Sequence, residues 1–298
     1  MTYGQLANFA IEELKQLYEE REARAIQRYL FSSLSKVSMS DLFLLYNEIV
    51  PKDFENRVIN SINELRYHKP VQYVTGKVHF SDMDFEVNTH VLIPRPETEE
   101  LVNLIVKRSN PQTSYNILDI GTGSGIIAVS LAKLLPKSLV SAIDISGEAL
   151  AIAKKNASSN NTNIDFQQLD ILMYLHEPAP SSQSHYFDRS GNEARFDIIV
   201  SNPPYVKESE KTVMSPNVLE YEPHLALFVS DDDPLEYYKA IINFAKRHLG
   251  SYGMLYFEIN ESEDKNLKAL LEVNGFSGVE VFKDFNGKPR FVSSIKNY

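Results

Sequence analysis

The apolar run FDIIVS leads directly into Asn202-Pro203-Pro204-Tyr205. Two successive prolines fix two φ angles and remove two N–H donors, so the carbonyl oxygens around Pro203 can face a ligand without a competing internal donor. The Asn202 side chain adds a neutral acceptor beside them. Such a set suits an NH2 group conjugated to a carbonyl or a ring, whose lone pair is delocalised and whose hydrogens need acceptors. Hydrogen bonds to the Asn202 side-chain oxygen and the Pro203 carbonyl would hold that group and favour a developing tetrahedral nitrogen. Tyr205 is expected to pack on the planar group that carries it. The catalytic set read from the residues is therefore Asn202, Pro203 and Tyr205, and Pro204 joins them in the acceptor-binding surface. The plainer reading is a rigid Pro-Pro turn after a strand.

A second group of residues lies upstream. The run NILDI enters Gly121-Thr122-Gly123-Ser124-Gly125 and then the helical stretch IIAVSLAKLL. Glycines at this spacing let a backbone turn sharply and pass close to a ligand at a sheet edge. A dinucleotide fingerprint would place its third glycine at position 126, which is Ile126, and this tells against NAD. A phosphate cradle would add a Lys-Ser/Thr pair, and Ile126-Ile127 stand there instead. Asp144 ends the next β-branched run, where a carboxylate can accept both ribose hydroxyls of an adenosine. Asp170 and Ile171 end the one after, placed to accept from an adenine amino group and to cover the ring. Alone, Asp144 would read as a solvated strand end or a helix cap. In combination these residues describe a pocket for an adenosine without phosphates, and S-adenosylmethionine is the expected cofactor. Its site is read as Gly121, Thr122, Gly123, Ser124, Gly125, Asp144, Asp170 and Ile171, with Asn202 alongside. A sulfonium already supplies a good leaving group, so positioning and electrostatics would carry most of the rate.

The elements that must position these residues follow from periodicity. From Tyr115 onward, short β-branched runs alternate with helical stretches, the pattern of a parallel sheet covered by helices. The last two runs, GVEVFKD and RFVSSIK, are joined only by FNGKP, too short for a crossover, so that pair must be antiparallel. The expected fold is an α/β, seven-stranded, mostly parallel Rossmann-like sheet with an antiparallel last strand, plus a small N-terminal helical domain. Residues 3–67 read as four helices, with apolar positions at Leu6, Phe9, Ala10, Leu14 and Leu17, then Ile26, Tyr29, Leu30 and Leu34. Ser40-Asp41 and Pro51 are the start signals of the later ones. VHF and FEV around SDMD read as a hairpin, and PETEELVNLIVKRS starts a helix. The expected domains are residues 1–75, helical; 76–110, a hairpin linker with the helix that leads onward; and 111–298, the catalytic domain. The polar stretch 176–195, without a period, is expected to be a mobile surface insertion.

Composition narrows the class. The chain has 298 residues, 43% hydrophobic and 23% charged, and no apolar run near the ~20 residues that span a bilayer, so a soluble protein without a membrane partner is expected. The N-terminus lacks the basic, apolar and small-residue segments of a secretory signal, and a cytoplasmic location is expected. With no cysteine, disulfides, thiolate metal sites and cysteine nucleophiles are excluded, and the seven histidines show no ligand spacing, so no metal is expected. The net charge of -10 is concentrated outside residues 1–75, which hold nine Lys/Arg against ten Asp/Glu. A protein that tracks duplex phosphates usually carries a basic field, so direct nucleic-acid binding is not expected.

YVTGKVHFSDMDFEVNTHVLIPRPETEELV, ILDIGTGSGIIAVSLA, FDIIVSNPPY and YEPHLALF occur in this order, and with them the chain resembles the PrmC/HemK family of release-factor glutamine N5-methyltransferases. The resemblance covers essentially the whole chain, with DFNGKPRFV only loosely similar to the family's closing turn. It implies transfer of a methyl group from S-adenosylmethionine, held at Gly121 to Gly125, Asp144 and Ile171. The acceptor would be the side-chain amide nitrogen of the glutamine in the Gly-Gly-Gln loop of class I peptide chain release factors, held at Asn202 to Tyr205. The N-terminal helices would help dock that protein. Arg95, Glu97 and Thr98 sit in a family-like stretch, but are read as structural and left out of the catalytic set. Two alternatives stay open: an adenine N6-methyltransferase, whose acceptor is also a conjugated amine, and an assembly protein in which the donor only stabilises the fold.

Overall fold

The computed structural model describes residues 1–35, 39–175 and 194–297. The insertion expected at 176–195 lies outside the described residues apart from Ala194 and Arg195. The chain opens with α1 (Tyr3–Leu14), α2 (Glu20–Ser35), α3 (Met39–Leu44), α4 (Lys52–Leu65) and α5 (Val71–Thr75). Next come β1 (Lys77–Phe80), β2 (Met83–Glu86), α6 (Pro96–Arg108), β3 (Asn116–Ile120), α7 (Ile126–Leu134), β4 (Leu139–Asp144), α8 (Gly147–Ser159) and β5 (Ile164–Gln168). Beyond the insertion lie β6 (Phe196–Ser201), β7 (Val206–Lys207), α9 (Pro216–Tyr221) and β8 (Phe228–Val229). The C-terminal part is α10 (Glu236–His248), β9 (Leu249–Glu258), α11 (Asp264–Val273), β10 (Phe276–Lys283) and β11 (Pro289–Lys296). No helix among the described residues is long and apolar enough to cross a membrane.

Two compact units result. The first comprises Met1–Lys77, Val87–Thr89 and Met214–Tyr221, and the second comprises Val78–Glu86 with the described parts of His90–Val213 and Glu222–Tyr298. In the first, α1 starts in a capping box: the Thr2 hydroxyl accepts from the Gln5 amide at 3.2 Å, and the Gln5 side chain accepts from the Thr2 amide at 2.9 Å. Leu6, Ala10 and Leu14 of α1 bury their apolar stripe against Ala23 and Leu30 of α2 and Val58 and Leu65 of α4. Phe31 meets Phe54 edge to face, 5.3 Å between centroids. Phe9 and Leu17, expected in the stripe, flank it and remain over a third exposed. α3 begins at Met39, one residue before the Ser40-Asp41 start signal, and α5 is a single turn beyond the four helices expected over residues 3–67.

The hairpin expected around SDMD exists with a tighter turn. Only Ser81 and Asp82 make it, with φ of 48° and 58°, so Met83 and Asp84 belong to β2. Two residues with positive φ match the right-handed twist of the flanking strands.

In the second unit the sheet order is β10-β11-β9-β6-β3-β4-β5, with β11 antiparallel to both neighbours and the pairs from β9 through β5 parallel. Alternate residues of the central strands enter opposite layers. Ile117, Ile198, Val200 and Tyr256 pack with α6 and α7, whereas Leu118, Ile199, Leu255 and Phe257 pack with α10 and α11. A parallel sheet buried on both faces needs such apolar runs, which is why NILDI, FDIIV and MLYF contain so few polar residues. From β3 the chain steps to β4 and β5 on one side and then returns to β6 on the other. The carboxyl edge between β3 and β6 is therefore the switch point at which such sheets open a crevice.

The turn out of β3 depends on Gly125. It has φ of +81°, and a Cβ placed there would lie 3.0 Å from the Ala153 Cβ and 3.1 Å from its Cα on α8. Gly125→Ala should lower unfolding stability by roughly 2 to 4 kcal/mol, combining left-handed strain with overpacking. Urea denaturation measures this, and an unchanged midpoint would show that the loop relaxes away from α8.

Candidate active site

Strand register sets the site. Ile120 pairs with Ile143 of β4 and with Ser201 of β6, and Ser201 pairs with Phe257 of β9. One residue further on, Asp144, Gly121, Asn202 and Glu258 emerge side by side from four adjacent strands at the same edge. The Ser201 hydroxyl, buried, donates to the Ile120 carbonyl at 2.7 Å and locks the two central strand ends together.

On the glycine side, the amides of Gly121 and Thr122 both donate to the Ile143 carbonyl, at 2.9 and 3.0 Å. The Asp144 carboxylate accepts from the Gly123 amide at 2.8 Å and the Ser146 amide at 2.9 Å. Burial raises its pKa, and backbone amides of Ser146, Gly123 and Ile145 oppose that shift. Leu169 donates to the Asp144 carbonyl at 3.0 Å, which brings Asp170 and Ile171 to the same edge. The Asp170 carboxylate, exposed, accepts from the Leu172 amide at 2.9 Å as the cap of a short helical turn, Ile171–Tyr174. Ile171 is half-buried against the α10 layer. Asn156 of α8 donates to the Ser124 carbonyl at 2.8 Å and the Glu86 carbonyl at 3.0 Å, tying the glycine loop to β2.

Beneath the loop lies Asp119, fully buried. One of its oxygens accepts from the Thr122 hydroxyl at 2.6 Å and the Ala128 amide at 3.2 Å, while Oδ1 has no partner. Desolvation pushes its pKa up to about 7, against those two hydrogen bonds and with a smaller push from Asp144. A Cβ at Gly121 or Gly123 would meet nothing within 4 Å, so open space lies over both. That space, the Asp144 carboxylate at the adjoining strand end and the spare acceptor under the loop fit a small nucleoside-bearing donor with a cationic end.

On the tetrapeptide side, Pro203 is buried, and Asn202, Pro204 and Tyr205 are half-buried. Asn202 Nδ2 donates to the Thr98 hydroxyl at 3.3 Å, and that hydroxyl donates to Glu258 Oε2 at 2.8 Å. The Tyr205 hydroxyl donates to Glu258 Oε1 at 3.2 Å, and its backbone carbonyl accepts from Asn260 at 3.3 Å. Glu258 is 1% exposed. Burial pushes its pKa up to about 7; donation from Thr98 and Tyr205 and the charge of Arg290 pull it down, and Glu97 adds to the upward push. The Tyr205 phenol is held well above its ordinary value by burial, then by the charge of Glu258.

Thr98 occupies the first turn of α6, which Pro96 starts. Arg95, just before it, pairs with the buried Glu222 at 2.6 Å, and the other Glu222 oxygen accepts from the Ile93 amide at 3.1 Å. The PRPETE and YEPHLALF segments are thus joined by one carboxylate. Thr98 touches Asn202 directly, a contact that spacing along the chain does not reveal. Glu258 was also missed, although it ends the strand GMLYFEI as Asp144 ends LVSAID, and the same strand-end reading would have found it. Asp119 carried one signal, a lone acid inside an apolar run.

Residues 5–76 match the family model described as "PrmC N-terminal domain", and residues 96–220 match "Methyltransferase small domain". A release factor glutamine methyltransferase of Bacteroides thetaiotaomicron is 40% identical, over 95% of this chain and 96% of its own. One of Flavobacterium psychrophilum is likewise 40% identical, over 95% of each chain. Among solved structures, the Thermus thermophilus 16S rRNA N2 G1207 methyltransferase in complex with AdoMet and guanosine matches with a TM-score of 0.50 at 18% identity, covering 74% of this chain and 50% of that one. This last likeness concerns the fold.

Asp119 yields a pH-dependent stability with a definite sign. Its folded value, about 7, lies above the ordinary 3.8, so between the two the folded chain keeps a proton that the unfolded chain has lost. The stabilisation is full below the unfolded value and is lost as pH rises through about 7. From pH ~5 to ~8 the urea midpoint of wild type should fall more than that of Asp119→Asn. Parallel curves would mean that Asp119 titrates normally.

Proposed function

The chain belongs to the release factor glutamine methyltransferase family, and on that premise we propose that it methylates the glutamine of the Gly-Gly-Gln loop in class I peptide chain release factors. The reaction is transfer of a methyl group from S-adenosylmethionine to the side-chain amide nitrogen of a release-factor glutamine. The observation that carries the residue assignment is the register that aligns Asp144, Gly121 and Asn202 at one edge.

The proposed donor site is Gly121 to Gly125, Asp144, Asp170 and Ile171, with Asn202 between donor and acceptor. When bound, the donor supplies an activated methyl on a sulfonium leaving group. The glycine loop leaves room for it, and the Asp144 carboxylate, already ordered by the Gly123 and Ser146 amides, can accept from a ribose diol. At the acceptor, the Asn202 side-chain oxygen and the Pro203 carbonyl receive the two amide hydrogens, and Pro204 and Tyr205 bound the planar group. These acceptors stabilise positive charge that grows on nitrogen as it becomes tetrahedral, which makes the interaction stronger in the transition state than in the ground state. The alkylated nitrogen is strongly acidic and loses its proton without a dedicated base. Residues 1–75 are the proposed docking domain for the release factor, and 76–110 the linker to the catalytic domain at 111–298. The adenine alternative has lost ground, because the relatives matched along nearly the whole chain are release-factor enzymes.

Labelled methyl transfer from S-adenosylmethionine to purified release factor, to its Gly-Gly-Gln glutamine variant and to duplex DNA should mark the native factor alone. Label on DNA alone would move the function to adenine. Asn202→Ala should cut kcat on the order of 100-fold or more while leaving donor affinity largely intact. Asp144→Ala should instead weaken donor binding by about 10- to 100-fold, as loss of charge-assisted hydrogen bonds requires. Near-normal turnover by Asn202→Ala would remove the acceptor assignment.

A further inference from the structure

We propose that Glu258 is a positioning residue that sets which way round the Asn202 carboxamide sits, acting through the Thr98 hydroxyl. This rests on the acceptor reading above and extends it to a residue outside the tetrapeptide.

A carboxamide has an acceptor oxygen and a donor NH2 of nearly equal size, so shape alone does not choose between its two orientations. For Asn202 to receive a hydrogen from a substrate amide, its oxygen must face the substrate and its NH2 must be held elsewhere. In the reverse orientation two donors face each other. The NH2 is held by the Thr98 hydroxyl, 3.3 Å away. A hydroxyl can donate or accept, and it has one proton. That proton is directed to Glu258 Oε2 at 2.8 Å, which above its raised pKa of about 7 is an ionised acceptor with no proton to offer in return. The Thr98 lone pairs are thereby left facing Asn202, and donation runs one way, from Asn202 to Thr98 to Glu258.

The second carboxylate oxygen anchors the other end of the tetrapeptide. Tyr205 donates its hydroxyl to Oε1 at 3.2 Å, so Asn202 and Tyr205 both refer to one buried group. The Glu258 backbone is itself fixed, since its carbonyl accepts from Tyr238 of α10 at 3.0 Å. The carboxylate is buried between α6 and the end of β6, where it meets no bulk water. A role in fold stability alone would require only that the space be filled and the buried carboxylate be given donors. The directional chain requires, in addition, an acceptor at its end and a hydroxyl in its middle.

The test uses full-length variants with release factor as substrate and separate determinations of kcat and of KM for S-adenosylmethionine. Thr98→Val keeps the side-chain shape and removes the relay. It should lower kcat by about 10- to 100-fold, the scale of a misplaced reacting group, with donor KM within about threefold. Thr98→Ser restores the hydroxyl and should recover most of the lost rate. Glu258→Gln leaves one acceptor oxygen for the two hydroxyls of Thr98 and Tyr205, so one of the two bonds is lost or reversed whichever way the carboxamide sits, and kcat should fall. The double variant Thr98→Val/Glu258→Gln should be no worse than the poorer single variant, because both break the same chain. Unchanged kcat in Thr98→Val, or independent multiplying losses in the double variant, would overturn the proposal while the acceptor reading stands. Should Glu258→Gln fail to fold, the Val and Ser variants at position 98 decide by themselves. No label on release factor with wild type would overturn both the reading and the proposal.

Discussion

Parallel pairing of β3 with β6 brings two segments 81 residues apart into one crevice, with the Ser201 hydroxyl closing on the Ile120 carbonyl at 2.7 Å. Because side chains alternate between faces with a period of two, a slip by one residue would send Ile198 and Val200 into the wrong layer. The cost of exposing or misplacing several fully buried branched side chains, about 1.5 to 3 kcal/mol each, makes the register stiff. The same register then fixes how far Asn202 stands from the glycine loop. Packing of the sheet core and geometry of the site are in this sense one constraint: the apolar strand residues that hold the fold also hold the chemistry in place.

Three of the acids at or beneath the carboxyl edge have different surroundings. Asp144 is half-exposed and binds backbone amides of the loop that it faces. Asp119 and Glu258 are buried, and in both the desolvation that raises the pKa is the largest effect, partly offset by hydrogen bonds from neighbouring hydroxyls. Leaving such a group without donors costs more than forming each bond returns, so the hydroxyls of Thr122, Thr98 and Tyr205 are tightly committed. That commitment ties the glycine loop to β3 and the tetrapeptide to the end of β9. Preorganised acceptors do not have to reorient as charge develops, which is the condition under which they accelerate a methyl transfer.

Around the edge, other polar residues fasten the connecting segments. Glu222 accepts from both Arg95 and the Ile93 amide, and Asn156 bridges Ser124 and Glu86. These are buried polar side chains with their partners satisfied, so they hold irregular backbone at a site where regular strands have ended. The first turn of α6 is kept in place by the Arg95 to Glu222 pair, and that turn carries Thr98.

The alternation of runs from Tyr115 onward, the short FNGKP connection and the apolar stripe of α1 were legible in the sequence because they depend on local period and on connection length. The glycine loop and the tetrapeptide were legible for a related reason: Gly125, Pro203 and Pro204 act through their own backbone geometry, which a residue carries wherever it is placed. Even there the limits were local ones. The turn at Ser81-Asp82 took two residues where four were expected, and Phe9 and Leu17 stood outside the stripe, since strand pairing and neighbouring helices decide such boundaries. The company that Asn202 keeps was decided by tertiary structure. Thr98 and Glu258 lie 104 and 56 residues away in the chain, and their bonds to Asn202 and Tyr205 exist only because β9 pairs with β6 and α6 packs on the sheet. Residue type and spacing determined what each group can do; burial and long-range register determined which groups act together, since desolvation and hydrogen-bond direction are properties of an assembled interior.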